Sequence, residues 1–246
     1  METKSKSMSS GSRLLEDNSW RGARTMFFLK FMYILIVVVL VLANISIELP
    51  NHLPPATRGM DKDTILQLYH IARRIYYLII ANAYLMFGTL AVCIVMAGVF
   101  YVYRILWLYR AIKNIRCFTK TFFSPIVAIV CSAIPYIGIY FDVFILRDIT
   151  RRQQKLLDEQ GIQYTPVPRR DLATLFVFQL LCAIVLGAEI ADSWPGCFVA
   201  CTVIVATMLN WLHVLRPCVE QGNTLYQLQQ EEIIRTKLEE ASRPNG

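Results

Sequence analysis

The sequence predicts an all-α fold: a polytopic membrane helix bundle with four transmembrane helices and one proline-broken segment that re-enters the bilayer or lies in its interface. Three observations predict it. The chain is 55% apolar and only 17% charged, where a soluble domain carries about 25% charged residues. The apolar residues are gathered into long runs, the pattern of membrane spans. Basic segments separate the runs, and one run, residues 122–146, is interrupted by Pro125 and Pro135.

Residues 1–25 form a Ser-rich arm with Lys4, Lys6, Arg13, Arg21 and Arg24. It reads as disordered, having too little apolar surface to bury. Residues 27–47 are broken only by Lys30. About 21 residues at 1.5 Å each give roughly 31 Å, enough to cross. The run is too long for a signal-peptide core and reads as a signal anchor, with Lys30 reaching toward the headgroups. Pro50, Pro54, Pro55 and Gly59 mark a loop, after which Asp61 or Asp63 caps a helix. That helix is apolar over residues 75–103. Tyr76 and Tyr77 mark one end, and Tyr101, Tyr103 and Trp107 the other. The groups are about 25 residues, or roughly 38 Å, apart, which suits two membrane interfaces.

On a helical wheel of residues 105–122, Arg110, Lys113, Arg116 and Lys120 share one face. Leu108, Ile112, Ile115, Phe118 and Phe122 share the opposite one. The expectation is a helix lying in the membrane surface, with the four cations toward anionic headgroups. The alternative is a solvated basic face on a helix packed against the protein. In residues 147–160, Leu146, Ile149, Leu156 and Leu157 oppose Arg147, Arg151, Lys155 and Asp158, which reads as a second interfacial helix. Two prolines make residues 164–170 an extended linker. Residues 172–191 are a clean span. Asp192, Ser193, Trp194, Pro195 and Gly196 make a hairpin turn, and residues 197–215 are the last span, ended by Pro217. The organisation is therefore a disordered cytoplasmic arm (1–25), a transmembrane domain (26–217) and a partly helical cytoplasmic tail (218–246). Ile234, Leu238 and Ala241 form a short apolar stripe in that tail.

Charge sets the topology, because Arg and Lys in short loops favour the cytoplasmic side. If all five runs cross, the two sides hold ten and fourteen basic residues. If residues 122–146 enter and return, the count is twenty against four. The second arrangement is expected, with four crossings and both termini cytoplasmic. Irregular backbone at membrane depth must be covered by protein or line a wet cavity.

The net charge of +7 points to the lipid bilayer and its anionic headgroups as partners. Nucleic acid is not expected, because the basic residues flank apolar spans. Seven cysteines, mostly inside apolar runs, read as small packing hydrophobes. Cys197 and Cys201, one turn apart, lack the His or carboxylate partners of a metal site. No H-E-x-x-H, G-x-S-x-G, P-loop or paired-aspartate motif occurs, so no catalytic centre, cofactor or metal is expected.

Trp107-Leu108-Tyr109-Arg110-Ala111 with Asn114, Phe123-Ser124-Pro125, Ile134-Pro135 and Ile145-Leu146-Arg147-Asp148-Ile149 together resemble a domain-of-unknown-function family of bacterial multi-pass membrane proteins. The resemblance covers roughly residues 75–215, with its specific part at 107–149. Where that family has an Asn three residues after the I-P proline and a Pro seven after it, this chain has Gly138 and Asp142. The tryptophans common in the family are sparse here. The resemblance implies a four-span protein of the bacterial inner membrane and brings no established activity.

Polar residues in spans are functional candidates by default. Asp142, Gln179, Asn210 and Asn82 are the candidates here, and Asn44, Glu189 and His213 sit nearer span ends. Asp142 has a plainer reading as the partner of Arg147 or another cation, and Asn82 and Asn44 as packing glue. Ala183, Gly187 and Ala191 form a small-residue ladder suited to close approach, most simply of the last span. Three functions compete. The first is a non-enzymatic scaffold or regulator that binds lipid through its basic helices and a membrane or cytoplasmic protein through its tail. The second is a small transporter or channel using the broken segment around Pro135 and Asp142. The third is a membrane-embedded enzyme. A homo-oligomer stays open.

Overall fold

A computed structural model of the chain describes residues 14–53, 61–134, 137–188 and 194–242. All regular structure among them is helical. It comprises α1 (Ser19–Glu48), a 3-10 turn (Leu49–His52), α2 (Lys62–Ile115), α3 (Pro125–Ala133), α4 (Ile137–Glu159), α5 (Arg169–Gly187) and α6 (Trp194–Ala241). Among the described residues, three stretches are helical, long and apolar enough to cross a membrane: Ser19–His52, Lys62–Ile115 and Phe198–Glu239. α5, which carries the expected fourth span, is not one of them. Residues 189–193, including Glu189 and Ala191, lie outside the described set.

The chain divides into two compact units, Lys30–Val99 and the discontinuous pair Met1–Leu29 with Phe100–Gly246. In the first unit, α1 exposes Ile34 and Val41 while α2 exposes Leu85, Phe87, Ile94 and Val95. Water does not tolerate contiguous apolar surface of this extent, but lipid does. Asn82 is buried and joins the two helices. Its amide donates to the Leu42 carbonyl at 2.9 Å and the Ser46 hydroxyl at 2.6 Å, the cross-helix packing role expected of it.

The second unit has a main core drawn from the start of α1, the end of α2, and α3 to α6, and a smaller cluster of Leu156, Leu157 and Leu225. α2 continues unbroken to Ile115, because nothing between Ile105 and Ile115 stops a helix. This corrects the expected membrane-lying helix over residues 105–122. Leu108, Ile112 and Ile115 are at most 4% exposed, so protein covers their face, as in the alternative reading. The chain leaves the helix after Ile115, which separates Arg116 and Lys120 from Arg110 and Lys113. The second expected interfacial helix is corrected in the same way. α4 runs from Ile137 to Glu159, and its Leu146, Ile149, Leu156 and Leu157 are buried against neighbouring helices.

Residues 122–148 form a helical hairpin. Ser124 caps α3 by accepting the Val127 N–H at 3.2 Å, and Pro125 follows at the first helical position. α3 has nine residues and ends at Ala133. Ile134 is extended, with ψ 121°, the conformation that a following proline demands. Pro135 and Tyr136 lie outside the described residues. A β-carbon on Gly138 would sit 2.6 Å from the Ser132 carbonyl oxygen, so only glycine lets α4 start this close to the end of α3. The hairpin closes where it began: the Phe122 N–H donates to the Asp148 carboxylate at 3.0 Å, and the Phe123 and Phe141 rings are 5.8 Å apart.

α5 packs along α6, the expected pairing, and the Thr207 hydroxyl bonds the Phe178 carbonyl at 3.2 Å. Among the described residues nothing lies within 4 Å of a β-carbon built on Gly187, and Ala191 of the small-residue ladder lies outside them. Trp194, Pro195 and Gly196 form the first turn of α6 and not the hairpin turn, a position proline fills readily. α6 then continues through Pro217, where the last span was expected to end. An internal proline costs a helix about 3 kcal/mol. Here Val214, Leu215, Cys218 and Val219 are at most 3% exposed, and their packing holds the helix together. The boundary expected at residue 218 is therefore absent.

The arm expected to be disordered over residues 1–25 is placed from Leu14 onward, and residues 1–13 lie outside the described set. Leu15 is buried. Its N–H donates to the Gln229 Oε1 on α6 at 2.7 Å. Asn114 reads the peptide of Glu16 on both edges, accepting its N–H at 3.1 Å and donating to its carbonyl at 2.7 Å. The Glu16 carboxylate pairs with Arg110, and with Lys113 at 2.6 Å. Asp17 then accepts the Ser19 N–H at 2.8 Å, which starts α1. The Ser19 hydroxyl and then its N–H, with Arg21 nearby, hold the Asp17 carboxyl below its usual range against the effect of partial burial.

Two outcomes are expected. Asn114→Ala removes two hydrogen bonds, worth about 1–3 kcal/mol together. Amide exchange at Leu15 and Glu16 should rise accordingly, and unchanged protection would show that the clasp is idle. A carboxyl whose pKa is lowered by folding adds stability above its unfolded value and loses it as pH falls through the folded one. Acidification below about pH 4 should therefore fray the first turn of α1, read as faster exchange at Ser19. Asp17→Asn should abolish that pH dependence.

Candidate functional site

The most unusual chemistry in the described residues is a buried charge cluster in the second unit. α2 brings Arg104, α3 brings Ser132 and α4 brings Asp142, at 9%, 5% and 6% exposure. Arg104 Nη1 donates to Asp142 Oδ2 at 2.7 Å, and Arg104 Nη2 donates to the Ser132 hydroxyl oxygen at 2.7 Å. The Ser132 hydroxyl donates in turn to Asp142 Oδ1. Both carboxylate oxygens and both terminal guanidinium nitrogens are thus engaged within three residues. The guanidinium carbon also lies 5.3 Å from the Trp211 ring centroid and 5.4 Å from that of Tyr101, within reach of a cation–π attraction. Arg104 Nε has no partner.

Local sequence explains the placement. Ser132 lies in the last turn of α3, before the chain reverses. Asp142 lies in the second turn of α4, and the Gly138 approach lets the two turns touch. Arg104 sits one turn before Leu108, on the side of α2 that enters the core. The expected pairing of Asp142 with Arg147 does not occur. Arg147 is exposed, five residues further along α4. Ser132 and Asp142 are its one hydroxyl–carboxylate pair, and Arg104 holds both of them; no group that could hold a metal occurs among the described residues. Its chemistry is that of a closed ionic clamp joining α2, α3 and α4 beneath Trp211 of α6.

The other candidates are more local. Gln179 is 7% exposed, and its Oε1 has no partner. The Asn210 amide returns to the Ala206 carbonyl of its own helix at 2.9 Å, and Asn44 to the Leu40 carbonyl at 3.3 Å. His213 bonds Asp171 at 2.9 Å. The basic quartet is not one patch. Arg110 and Lys113 are held by Glu16, while Arg116 and Lys120 lie past the end of α2.

Sequence reasoning missed Arg104, Ser132, Glu16 and Asn114. For Arg104 a signal existed: a buried carboxylate in a broken apolar segment requires a cation, and Arg104 ends the preceding apolar run. Glu16 had no such signal, because its partners lie about a hundred residues away.

Removing one member of a buried ion pair strands the other and costs about 3–5 kcal/mol, whereas replacing both with apolar residues is often neutral. Arg104→Met should accordingly lower the melting temperature in detergent sharply. Arg104→Met combined with Asp142→Leu should recover most of the loss. A double variant as unstable as the single one would mean the cluster does not act as a pair.

In comparisons with protein-family models, curated proteins and solved structures, nothing matches this chain.

Proposed function

We propose that this chain is a multi-pass membrane protein without a catalytic centre, acting as a scaffold or regulator. The observation that carries this reading is the closed clamp. Arg104 and Asp142 neutralise each other and, with Ser132, bind three helices together, as a structural element does. A transport site needs groups that are free to exchange partners.

The hairpin geometry supports four crossings, by α1, α2, α5 and α6. The chain enters the hairpin at Phe122 and leaves it beside Asp148, 3.0 Å away. α3, with nine residues, is roughly 14 Å long and too short to cross alone. Ends that meet support a segment that returns to the side it left, the arrangement in which twenty basic residues and both termini share the cytoplasmic side. α6 then carries its polar end outward on that side, with Ile234 and Leu238 exposed as a surface for a partner protein. The motifs at residues 107–149 support a bacterial inner-membrane location through the resemblance they carry.

The second reading, a small transporter or channel, is favoured by one observation. Asp142 lies close to a helix break, where transporters place their binding groups.

Single cysteines at Gln160 and Ser193, in a cysteine-free background, test the topology with an impermeant maleimide on intact cells. Labelling at 193 and not at 160 is expected, and the reverse result would overturn the re-entrant arrangement. Asp142→Asn and Gln179→Leu separate the functions. The scaffold reading expects no solute flux in proteoliposomes for either the parent or the variants. A flux in the parent that both variants abolish while still folded would establish transport instead.

A further inference from the structure

The groove between α4 and α5 has a chemistry that the clamp does not use. On α4, Tyr140, Val143, Phe144 and Arg147 follow at i, i+3, i+4 and i+7. On α5, Arg169, Leu172, Ala173 and Phe176 follow at the same spacing. Both sets therefore form single helix faces, and these faces line one groove of about 320 Å³. The helices are antiparallel here, since the Tyr140 and Phe176 rings are 6.1 Å apart. The two arginines consequently fall at one end of the groove and the aromatic rings at the other. Tyr140 and Phe144, 4.5 Å apart, remain 50% and 41% exposed.

Neither the Arg147 nor the Arg169 guanidinium makes an ion pair or hydrogen bond among the described residues. The nearest acids in sequence are engaged elsewhere. Asp148 holds Arg152 at 2.7 Å and the Phe122 N–H, and Asp171 holds His213 at 2.9 Å. Two guanidinium groups sharing a groove end without an acid repel each other until an anion joins them. Arg recognises phosphate oxygens in a bidentate manner. The groove volume lies in the range of about 300–1,000 Å³ typical of small-ligand sites. A charged mouth with an apolar, aromatic body selects an amphiphile with an anionic head.

We propose that this groove binds one anionic glycerophospholipid, with its phosphodiester between Arg147 and Arg169 and an acyl chain along Tyr140, Phe144 and Phe176. The site rests on the membrane reading given above. In the re-entrant arrangement the arginine end faces the cytoplasmic leaflet, where basic pockets between helices meet anionic lipid.

The test uses the full chain in detergent, with native mass spectrometry reading retention of phosphatidylglycerol against phosphatidylcholine. Phosphatidylcholine carries the same phosphodiester but adds a choline cation that the two guanidinium groups repel, so the parent should prefer phosphatidylglycerol by about tenfold or more. Arg147→Gln with Arg169→Gln should remove that preference, while Arg116→Gln with Lys120→Gln, the same change in charge elsewhere, should keep it. Ala173→Trp leaves both arginines in place but fills the body of the groove, and it should also lose the lipid. Phosphatidylglycerol retention unchanged in both groove variants would overturn the site. So would displacement by glycerol phosphate as effective as displacement by the lipid, because the acyl chain would then contribute nothing. The membrane reading fails separately: alkaline carbonate would then release the chain from membranes. A carbonate-resistant chain with unchanged lipid retention overturns the groove alone.

Discussion

The pairing of Arg104 with Asp142 is the constraint on which the second unit depends. Helices in lipid gain little from burying apolar side chains against one another, because lipid tails are just as apolar. Shape and polar contacts must then decide which faces meet. A buried charge makes that decision strictly, since an unpaired guanidinium or carboxylate at that depth is far costlier than a poor apolar contact. With Asp142 and Ser132 on the two arms of one hairpin, Arg104 can be satisfied at 2.7 Å from each only when the hairpin is folded and docked on α2. The net gain in stability from such a pair is small. Its effect is on registry.

The same logic explains features that otherwise look unfavourable. Ile134 takes the extended shape that Pro135 requires, and Gly138 removes the side chain that would keep α3 and α4 apart. The break therefore brings Ser132 within reach of Asp142. Pro217 lies inside α6 because Val214, Leu215, Cys218 and Val219 are all fixed in the core, and the packing of four residues outweighs the loss of one backbone hydrogen bond. Beyond that proline, Gln229 holds the backbone of Leu15. The N-terminal arm is thus tied to the far end of the chain by polar contacts that no local pattern encodes.

The all-helical class, the three long apolar helices and the pairing of α5 with α6 were legible in the sequence, because each follows from composition within a short window. The covering of the amphipathic faces was not. A period of 3.6 residues shows that Leu108, Ile112 and Ile115 share a face and that Leu146, Ile149 and Leu157 share another. It does not distinguish a face buried in lipid from one buried in protein. Both segments read as membrane-lying for that reason, and both proved to be core. Asp142 was legible as a candidate in need of a cation, but which cation would meet it was not. An arginine at the end of an apolar run looks like a topology marker, and Arg104 becomes a structural cation only when α3 and α4 fold back upon it.

The basic excess of the chain therefore separates by partner, and the separation bears on what each cation can do. Arg104 is neutralised inside the core. Arg110 and Lys113 hold Glu16 and fasten the arm. Arg152 holds Asp148 at the mouth of the hairpin. These residues cannot also serve a lipid surface without releasing a structural contact. Arg147 and Arg169 carry no such obligation, and antiparallel packing brings them to one end of an aromatic groove. Charge in a membrane protein is commonly read as a diffuse attraction to anionic lipid. Here the internal carboxylates claim the cations that organise the fold, and among the cations left without an ion pair Arg147 and Arg169 are two that line one groove.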